Sequence, residues 1–208
     1  EVMSETQPSV DETVQQTPLQ ELRQQRIGKL DTFIQAGMPP YGGRVDDLVS
    51  TEDARRLYQE EDEDETVRAR IAGRVMSMRN MGKSCFCDLQ DQAGRLQVYA
   101  QKNKLGDDLF ALFKAVDIGD ILTAEGEVFT TRTGEVTLKA ESFRLLSKAL
   151  RPLPEKWHGL TDVQQRYRQR YLDLVSNPGV RGQFVLRTRI VAEIRRFLND
   201  TGYLEMET

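Results

Sequence analysis

The apolar residues change their spacing at Thr66, and this change limits the possible folds more than any other feature of the chain. From Val67 to Val75, apolar residues and one glycine alternate with Arg68, Arg70 and Arg74. A period of two indicates a strand that buries one of its faces. Four more strand-like segments follow, separated by turn or helical residues, at residues 84–90, 95–100, 121–129 and 135–143.

One helical segment lies between the third and fourth predicted strands. It ends near Gly119, and its apolar residues recur at helical spacing, at Leu109, Phe110, Leu112, Phe113 and Val116. Three strands, a helix and two strands within about 80 residues is the element order of an OB-fold barrel. We therefore predict a mainly β chain with added α-helices, in which residues 66–149 form a five-stranded OB-fold barrel.

Helices are predicted before the barrel. Residues 1–18 are rich in Gln, Thr, Ser and Pro and lack hydrophobic periodicity, so we expect disorder there. Residues 19–65 are predicted to form an N-terminal helical extension. Ser50–Asp53 has the form of a capping box that starts its second helix, which runs through Tyr58. The first helix has an apolar stripe made of Leu19, Leu22, Leu30, Phe33 and Ile34.

Helical segments are also predicted after the barrel. Residues 150–178 have the composition of a linker and a basic helical segment, and residues 179–208 are predicted to begin another domain. A long helix in that domain runs from about Val180 to Thr201, with Gly202 past its end. Its apolar face consists of Phe184, Val191, Ile194, Phe197 and Leu198.

The net charge of −4 by itself disfavours a general nucleic-acid binder, but the charges are segregated along the chain. Acidic residues fill Glu60–Glu65, whereas the next block is basic, with Asp88 and Asp91 as its acidic residues. Its basic residues are Arg68, Arg70, Arg74, Arg79, Lys83, Arg95, Lys102 and Lys104. Phosphate attraction depends on the local charge within about 10 Å. The block is either a phosphate-binding surface or a solvated face, and composition alone leaves both interpretations open.

The two cysteines, Cys85 and Cys87, lie two positions apart in one predicted strand, so their side chains point the same way. With no second Cys or His cluster in the sequence, we expect buried, reduced thiols and no metal site. Reduced cysteines are typical of a cytoplasmic protein. No apolar run approaches the ~18 residues that cross a bilayer, and residues 1–18 lack the pattern of a secretory signal, so no membrane partner is expected.

The alternation predicts a polar surface that carries an aromatic side chain. In the second strand, Phe86 lies on the face opposite Cys85 and Cys87. The same rule turns outward, in the neighbouring strands, Gln97, Tyr99, Glu135, Thr137 and Lys139. An exposed ring can stack on an unpaired base, for about 1–3 kcal/mol, while an amide binds the base edge. The alternative is that a helix or loop covers Phe86 as an ordinary core residue.

The direction of Arg79 does not follow from the pattern. Strict alternation from Val67 would turn its side chain towards the core. First strands of such barrels bend or bulge, however, and a turn begins at Met81–Gly82. The sequence therefore leaves the direction of Arg79 open.

Several segments together resemble bacterial-type class II lysyl-tRNA synthetases, and the resemblance covers nearly all of the chain from Leu19 onward. The stretches Lys156–Leu160 and Arg166–Tyr171 are particular to the lysyl members. The barrel, its aromatic residue and the last segment are shared with aspartyl and asparaginyl enzymes. The matching segments are Ala72–Met76, Met81–Asp91, Arg95–Tyr99, Gly119–Leu122, Thr133–Glu135, Leu150–Thr161, Arg166–Leu174 and Arg195–Thr208.

This resemblance implies an anticodon-binding site on the barrel, with the anticodon loop of tRNA-Lys as partner. By the family's pattern, Phe86 would stack on the central U of the lysine anticodon, and Arg79 and Gln97 would hydrogen-bond it. Glu135 would contact a neighbouring anticodon base. Alternation independently places Phe86, Gln97 and Glu135 on one face of the sheet.

The resemblance of Arg195–Thr208 is to motif 1 of class II synthetases, a long helix followed by Gly-aromatic and a strand. Motif 1 serves dimerisation, which implies a homodimeric parent enzyme with Ile194, Phe197, Leu198 and Gly202 at the interface. The sequence ends at Thr208, ahead of the positions of motifs 2 and 3, which hold ATP and the amino acid.

We therefore expect the parent enzyme to ligate lysine to tRNA-Lys with ATP and Mg²⁺, and this truncated chain alone to be catalytically incomplete. No catalytic residue, cofactor site or metal ligand is assigned within the chain. The single histidine, His158, has no evident Ser, Cys or Asp partner in the sequence. It is expected to pack the linker together with Trp157.

Two other functions remain possible at this stage. The first is a stand-alone OB-fold module that binds single-stranded nucleic acid or a protein, although such a module has no need of a motif 1 helix. The second is a lysyl-type paralogue that modifies a protein or a lipid, although the protein-modifying paralogues lack the barrel. Arg23, Arg26 and Lys29 on the first helix either touch tRNA phosphates or form a solvated face.

Overall fold

The computed structural model describes residues 18–41, 43–60, 66–154 and 160–207. The disorder expected before Pro18, most of the acidic run and the packing roles of Trp157 and His158 therefore lie outside the described residues. The chain divides into two compact units, and the boundary follows Pro152. Among the described residues, no helix has both the length and the apolar character needed to span a bilayer.

The first unit contains the strands and the second unit is helical. The strands are β1 (Arg68–Met81), β2 (Ser84–Gln90), β3 (Arg95–Gln101), β4 (Ile121–Thr130) and β5 (Val136–Ser147). The helices of the first unit are α1 (Pro18–Gln35), α2 (Thr51–Glu60), α3 (Lys102–Leu105) and α4 (Asp107–Lys114). Those of the second unit are α5 (Val163–Arg168), α6 (Arg170–Ser176) and α7 (Pro178–Asp200).

The five strands form a closed barrel in the order β1-β2-β3-β5-β4. Closure is possible because β1 pairs with β4 along its first half and with β2 along its second half. The β3–β5 pair is parallel, and the other neighbours are antiparallel. This arrangement confirms the predicted OB-fold, with α3 and α4 inserted between β3 and β4 as the helical pattern indicated.

The fifth strand differs from its prediction in both bounds. Glu135 precedes β5, and the strand continues past Phe143 to Ser147. Its register with β4 shifts beside Glu141, which leaves an extra residue on β5 and changes the phase of the alternation. The sequence pattern therefore ended before the strand did.

The barrel interior is filled by the residues that the alternation turned inward. Cys85, Cys87, Leu89, Leu96, Val98, Ala100, Leu138 and Ala140 are all buried. From α4, Phe113 enters this core and its ring meets the edge of Phe143 at a centroid distance of 5.0 Å. Gly126 lets β4 and β5 approach closely, since a Cβ there would lie 1.9 Å from the carbonyl oxygen of Lys139.

A β-bulge in β1 decides which residues of its second half face outward. The pairing with β2 shifts between Val75 and Ser77, and both Val75 and Met76 are buried. The extra residue reverses the alternation, so Arg79 lies on the outer face and is exposed. Strict alternation would have been wrong for Arg79, and the bulge is the physical reason.

The turn that precedes β4 holds this bulge. The N–H of Val75 donates to the carbonyl of Asp120, and the N–H of Gly119 donates to the carbonyl of Val75, both at 2.8 Å. The guanidinium of Arg74 also donates to the Gly119 carbonyl at 2.8 Å. Because β1 leaves β4 at this point, these bonds satisfy backbone groups that the strand ladder no longer pairs.

A buried polar cluster lies at the same turn. The ammonium of Lys148 donates to Asp117 at 2.6 Å and to Asp120 at 2.7 Å, and neither Lys148 nor Asp120 has an exposed side chain. Asp120 also accepts the N–H of Ala149 at 2.8 Å. Lys29 of α1 reaches Asp117 at 2.6 Å. Burial raises the pKa of Asp117, but the bonds from Lys148 and Lys29 outweigh it and hold that pKa below its usual value.

The first helix is attached to the barrel unit differently from the prediction. Phe33 is fully buried, but Leu19 and Ile34 are 55% and 50% exposed, so the predicted apolar stripe is only partly correct. Arg26 is buried, and its guanidinium donates to the carbonyls of residues 149 and 151 at 2.6 and 3.1 Å. Arg26 was predicted either to contact tRNA phosphates or to form a solvated face, and its burial shows that both alternatives are wrong. Lys29 is paired to the polar cluster.

The second helix begins with the Ser50 N-cap of the predicted capping box. Ser50 Oγ accepts the N–H of Asp53 at 3.0 Å and donates to its carboxylate at 2.7 Å. Asp91, in the β2–β3 turn, accepts both the N–H of Thr51 at 2.7 Å and its hydroxyl at 2.8 Å. With Ala54 fully buried, these bonds fix α2 against the barrel.

In the second unit, the basic helical segment predicted within residues 150–178 is two helices. Gln169 separates α5 from α6 with φ −119° and ψ 56°, which are not helical values. The break brings Arg166, Arg170 and Asn177 onto the carboxylate of Asp173, at 2.9, 2.5 and 2.6 Å. The Asn177 hydrogen bond is the largest of the effects that lower the pKa of Asp173.

The long C-terminal helix begins earlier than predicted. Proline is favoured in the first turn of a helix because it has no N–H to satisfy there, so α7 starts at Pro178 rather than at Val180. The helix ends at Asp200, and Gly202 follows with φ +91°. The C-terminal end is therefore close to the predicted one.

Candidate nucleic-acid interface

The outer face of β1, β2 and β3 brings a cation and two aromatic rings into one row. The register pairs Arg79 with Phe86, and Phe86 with Tyr99. The rings of Phe86 and Tyr99 stack with centroids 4.6 Å apart and planes 28° apart. Tyr99 also meets Phe129 at 6.2 Å. The alternative that Phe86 is a core residue is wrong, because it is half-buried on the side of the sheet opposite the barrel core.

Gln97 lies diagonally beside this row, in a polar row of its own. The register places Asp88 on one side of Gln97 and Thr137 on the other. The Thr137 hydroxyl donates to Gln97 Oε1 at 3.0 Å. Asp88 accepts the hydroxyl of Ser77, its partner on β1. Thr137 was predicted to be outward, and it lies on that face but is fully buried beneath its neighbours.

Glu135 stands at the end of the β4–β5 turn rather than inside β5. Its carbonyl accepts the N–H of Thr131 at 2.9 Å, and its own N–H donates to the Thr131 hydroxyl at 3.0 Å. Its carboxylate is half exposed and lies 3.8 Å from the guanidinium of Arg55 on α2. The predicted residue is therefore at the margin of the face, next to α2, with its carboxylate in a long ion pair.

The structure divides the basic block of the sequence into paired and unpaired residues. Arg68 and Arg70 form ion pairs with glutamates of β5 and β4, at 2.5 and 2.8 Å. Arg79 is exposed and has no ion pair with any residue in the described ranges. Arg79, at the end of β1 and beside Phe86, is thus a positive charge that is available to a phosphate or a base.

Tyr99 is the residue of this surface that was missed as part of the stacking site. Alternation predicts that it faces outward, but not that it lies opposite Phe86. The turn at Asp91–Gly94 fixes the β2–β3 register, in which Gln90 pairs with Arg95. Counting back from that pair places Tyr99 opposite Phe86, so the signal was present in the sequence.

The predicted dimer residues lie on α7 and just beyond it. Ile194, Phe197 and Leu198 are 54%, 66% and 40% exposed, and Gly202 follows the helix end. Their side chains form part of an uncovered apolar face of the second unit. The structure therefore brings the predicted dimer residues together at the C-terminal end of α7.

Metal and thiol chemistry find no support in the described ranges. No group of three or more His, Cys, Asp or Glu side chains there is arranged to hold a metal ion. Cys85 and Cys87 are free thiols in the barrel core, as predicted. Burial raises the pKa of the Cys87 thiol far above its usual value, which keeps the thiol protonated and unreactive.

Comparison with known proteins agrees with this geometry. Residues 69–146 match the family model of the OB-fold nucleic acid binding domain, and residues 162–208 match that of the class II tRNA synthetases (D, K and N). A lysine–tRNA ligase from Carboxydothermus hydrogenoformans is 49% identical over 192 residues, which are 91% of this chain and 38% of that protein. The chain is homologous to lysine–tRNA ligases.

Other lysine–tRNA ligases match to a similar extent. The protein from Anaeromyxobacter dehalogenans is 47% identical over 196 residues, 92% of this chain and 38% of that protein. The protein from Bacillus subtilis is 46% identical over 189 residues, 89% of this chain and 38% of that protein. The chain thus spans about 38% of the length of these curated relatives.

Proposed function

We propose that this chain is the anticodon-reading part of a lysine–tRNA ligase, with the anticodon loop of tRNA-Lys as its partner. The observation that carries the proposal is the row of Arg79, Phe86 and Tyr99 on the outer face of the barrel, with Gln97 beside it. A stacking ring, an unpaired cation and an amide are the groups that recognise an unstacked base. The sequence relatives are named for the same tRNA.

A base that stacks on Phe86 would use the face of the ring that Tyr99 does not cover. Tyr99 covers the ring on the β3 side at 4.6 Å. A pyrimidine would therefore stack on the side of Phe86 that faces β1, where Arg79 is the paired residue. That position lets the guanidinium donate to a base carbonyl or to a phosphate.

The activity of the whole protein is part of the same proposal. The parent enzyme would use ATP and Mg²⁺ to join lysine to the end of tRNA-Lys, in the cytoplasm and as a homodimer. The exposed apolar face of α7, including Phe197, supports the dimer. A stand-alone single-strand binder is less favoured, because the match of residues 162–208 to class II synthetases would then have no role.

The test is binding of the chain to a lysine anticodon stem-loop, compared with the same loop carrying C in place of the central U. We expect the chain to favour U over C by about 1–3 kcal/mol, the range for discrimination through base-edge hydrogen bonds. Stacking on Phe86 holds the base in place for these bonds, so Phe86→Ala should weaken binding of both loops and abolish the preference. Tyr171→Ala is the matched control, since it removes an aromatic side chain that is 60% exposed on α6.

The outcomes separate two kinds of binder. A preference for U that Phe86→Ala removes and Tyr171→Ala retains would establish an anticodon reader. Equal, salt-dominated binding to both loops would contradict the proposal and favour a general single-strand binder.

A further inference from the structure

Thr137 is a fully buried hydroxyl on the base-reading face, at the paired position next to Gln97. Its hydroxyl lies within hydrogen-bonding distance of Gln97 Oε1, at 3.0 Å, and of the Glu135 carbonyl, at 3.1 Å. A hydroxyl has a single proton to donate. Because this side chain is fully buried, the proton is expected on one of these two oxygens.

The Glu135 carbonyl has another donor. The N–H of Thr131 reaches it at 2.9 Å and closes the β4–β5 turn. Within the described residues, Gln97 Oε1 has no donor besides Thr137. The proton of Thr137 therefore goes to Gln97 Oε1, the one of the two oxygens that has no other protein donor within the described residues.

The residue on the other side of Gln97 favours the same orientation of the amide. Asp88 is the residue of β2 paired with Gln97, and it carries a carboxylate. A negative charge across the strand pair attracts the NH₂ of an amide and repels its oxygen. A donor on one side and a carboxylate on the other together hold Oε1 towards Thr137 and Nε2 away from it.

We propose that Thr137 is a specificity-determining positioning residue, which fixes the Gln97 amide so that the site offers an N–H donor to the central anticodon base. This inference rests on the proposed function and names the origin of its base preference. Uracil has an acceptor oxygen at position 4, where cytosine has an amino donor. A fixed Nε2 donor pairs with the first and opposes the second. An amide free to turn over would serve both bases.

The experiment measures the affinity ratio between the U and C stem-loops for the wild-type chain, Thr137→Val and Thr137→Ser. Valine keeps the shape of threonine without the hydroxyl, and serine keeps the hydroxyl. We expect Thr137→Val to reduce the U-over-C ratio about tenfold, the worth of one well-placed hydrogen bond, and Thr137→Ser to preserve the wild-type ratio. Binding of the U loop itself should fall less than the ratio.

Each result has a distinct meaning. A wild-type chain that prefers U and loses this preference in Phe86→Ala, but keeps it in Thr137→Val, would overturn the role of Thr137 and leave the proposed function standing. A wild-type chain without any preference would overturn the proposed function first. Loss of the ratio in both Thr137 variants would overturn the hydroxyl as the cause. Thermal unfolding of the variants, with comparison at matched folded fractions, separates misfolding from these outcomes.

Discussion

At the scale of single residues, the function proposed for the outer face of β1, β2 and β3 depends on which of its charged side chains have no ion-pair partner. Arg68 and Arg79 lie at opposite ends of β1, and both are exposed. Arg68 is held by Glu141 at 2.5 Å, which also lowers the pKa of that carboxyl. Arg79 has no such partner in the described ranges and stands next to Phe86. These two arginines of β1 therefore differ: the guanidinium of Arg79 is available to an anion, whereas that of Arg68 is already paired.

This difference makes Arg79→Ala a sensitive test. We expect Arg79→Ala to weaken binding of the anticodon stem-loop and, if the guanidinium reaches a phosphate, to lower the log–log salt slope by about 1. Its effect on the free energy of unfolding should stay within about 0.5 kcal/mol, since an exposed unpaired side chain is lost. Fluorescence titration at several salt concentrations measures the slope.

Arg68→Ala is the matched control for Arg79→Ala. It removes the same side chain from the same strand, but from a position engaged by Glu141. We expect RNA affinity and salt slope to remain those of the wild type. If both variants weakened binding equally, general charge would explain the affinity, and a local role for Arg79 would be refuted.

At the scale of elements, a polar cluster outside the proposed RNA-binding face supports the geometry of that face. Lys148 at the end of β5 binds Asp117 and Asp120 in the turn before β4. The backbone of that turn holds Val75, where the bulge of β1 begins. Since the bulge turns Arg79 outward, the cluster and the row of Arg79, Phe86 and Tyr99 belong to one structural unit.

Removing the ammonium of Lys148 should therefore be costly. We expect Lys148→Ala to lower the free energy of unfolding by about 3–5 kcal/mol, because it leaves the buried carboxylate of Asp120 without its cation. Lys114→Ala, at an exposed position on α4, is the control and should change it by no more than about 0.5 kcal/mol. Urea denaturation followed by circular dichroism measures both. An equal, small effect of the two substitutions would contradict the role given to the cluster.

The cluster also predicts a dependence on acid. The pKa of Asp117 is lower in the folded chain than its ordinary value of 3.8, so the unfolded chain binds the proton first. The stability from this group is present above that value and is lost as the pH falls through the folded pKa. The difference in stability between the wild type and Lys148→Ala should shrink below about pH 3.8, as measured by denaturation at a series of acidic pH values. A constant difference would argue against ionised Asp117 as the partner.

At the scale of the whole molecule, the second unit has an apolar face without a cover. Ile194, Phe197 and Leu198 of α7 are exposed, with Tyr203 and Leu204 after the helix also exposed. Helices in water gain most of their stability from burying such a face. The homodimer proposed for the parent enzyme would supply that burial.

Self-association should therefore depend on α7. We expect the chain to associate weakly as its concentration rises, and Phe197→Glu to reduce this association by placing a charge within the apolar face. Val163→Glu is the control, because Val163 is 61% exposed but lies on α5. Sedimentation velocity over a range of concentrations measures the change. A strictly monomeric wild type whose α7 amides are strongly protected from exchange would refute the prediction.

Local sequence patterns were enough to predict the barrel and most of the proposed recognition surface. Alternation fixed the inward residues of β2 and β3, and it placed Phe86 and Gln97 outward, because side chains on a strand follow a strict period of two. The points where that period breaks depend on tertiary contacts. Backbone bonds from the turn at Gly119 hold the bulge that turns Arg79 outward, and the extra residue at Glu141 changes the phase of β5 before the strand ends. Such breaks depend on partners distant in the chain, which a local pattern does not contain.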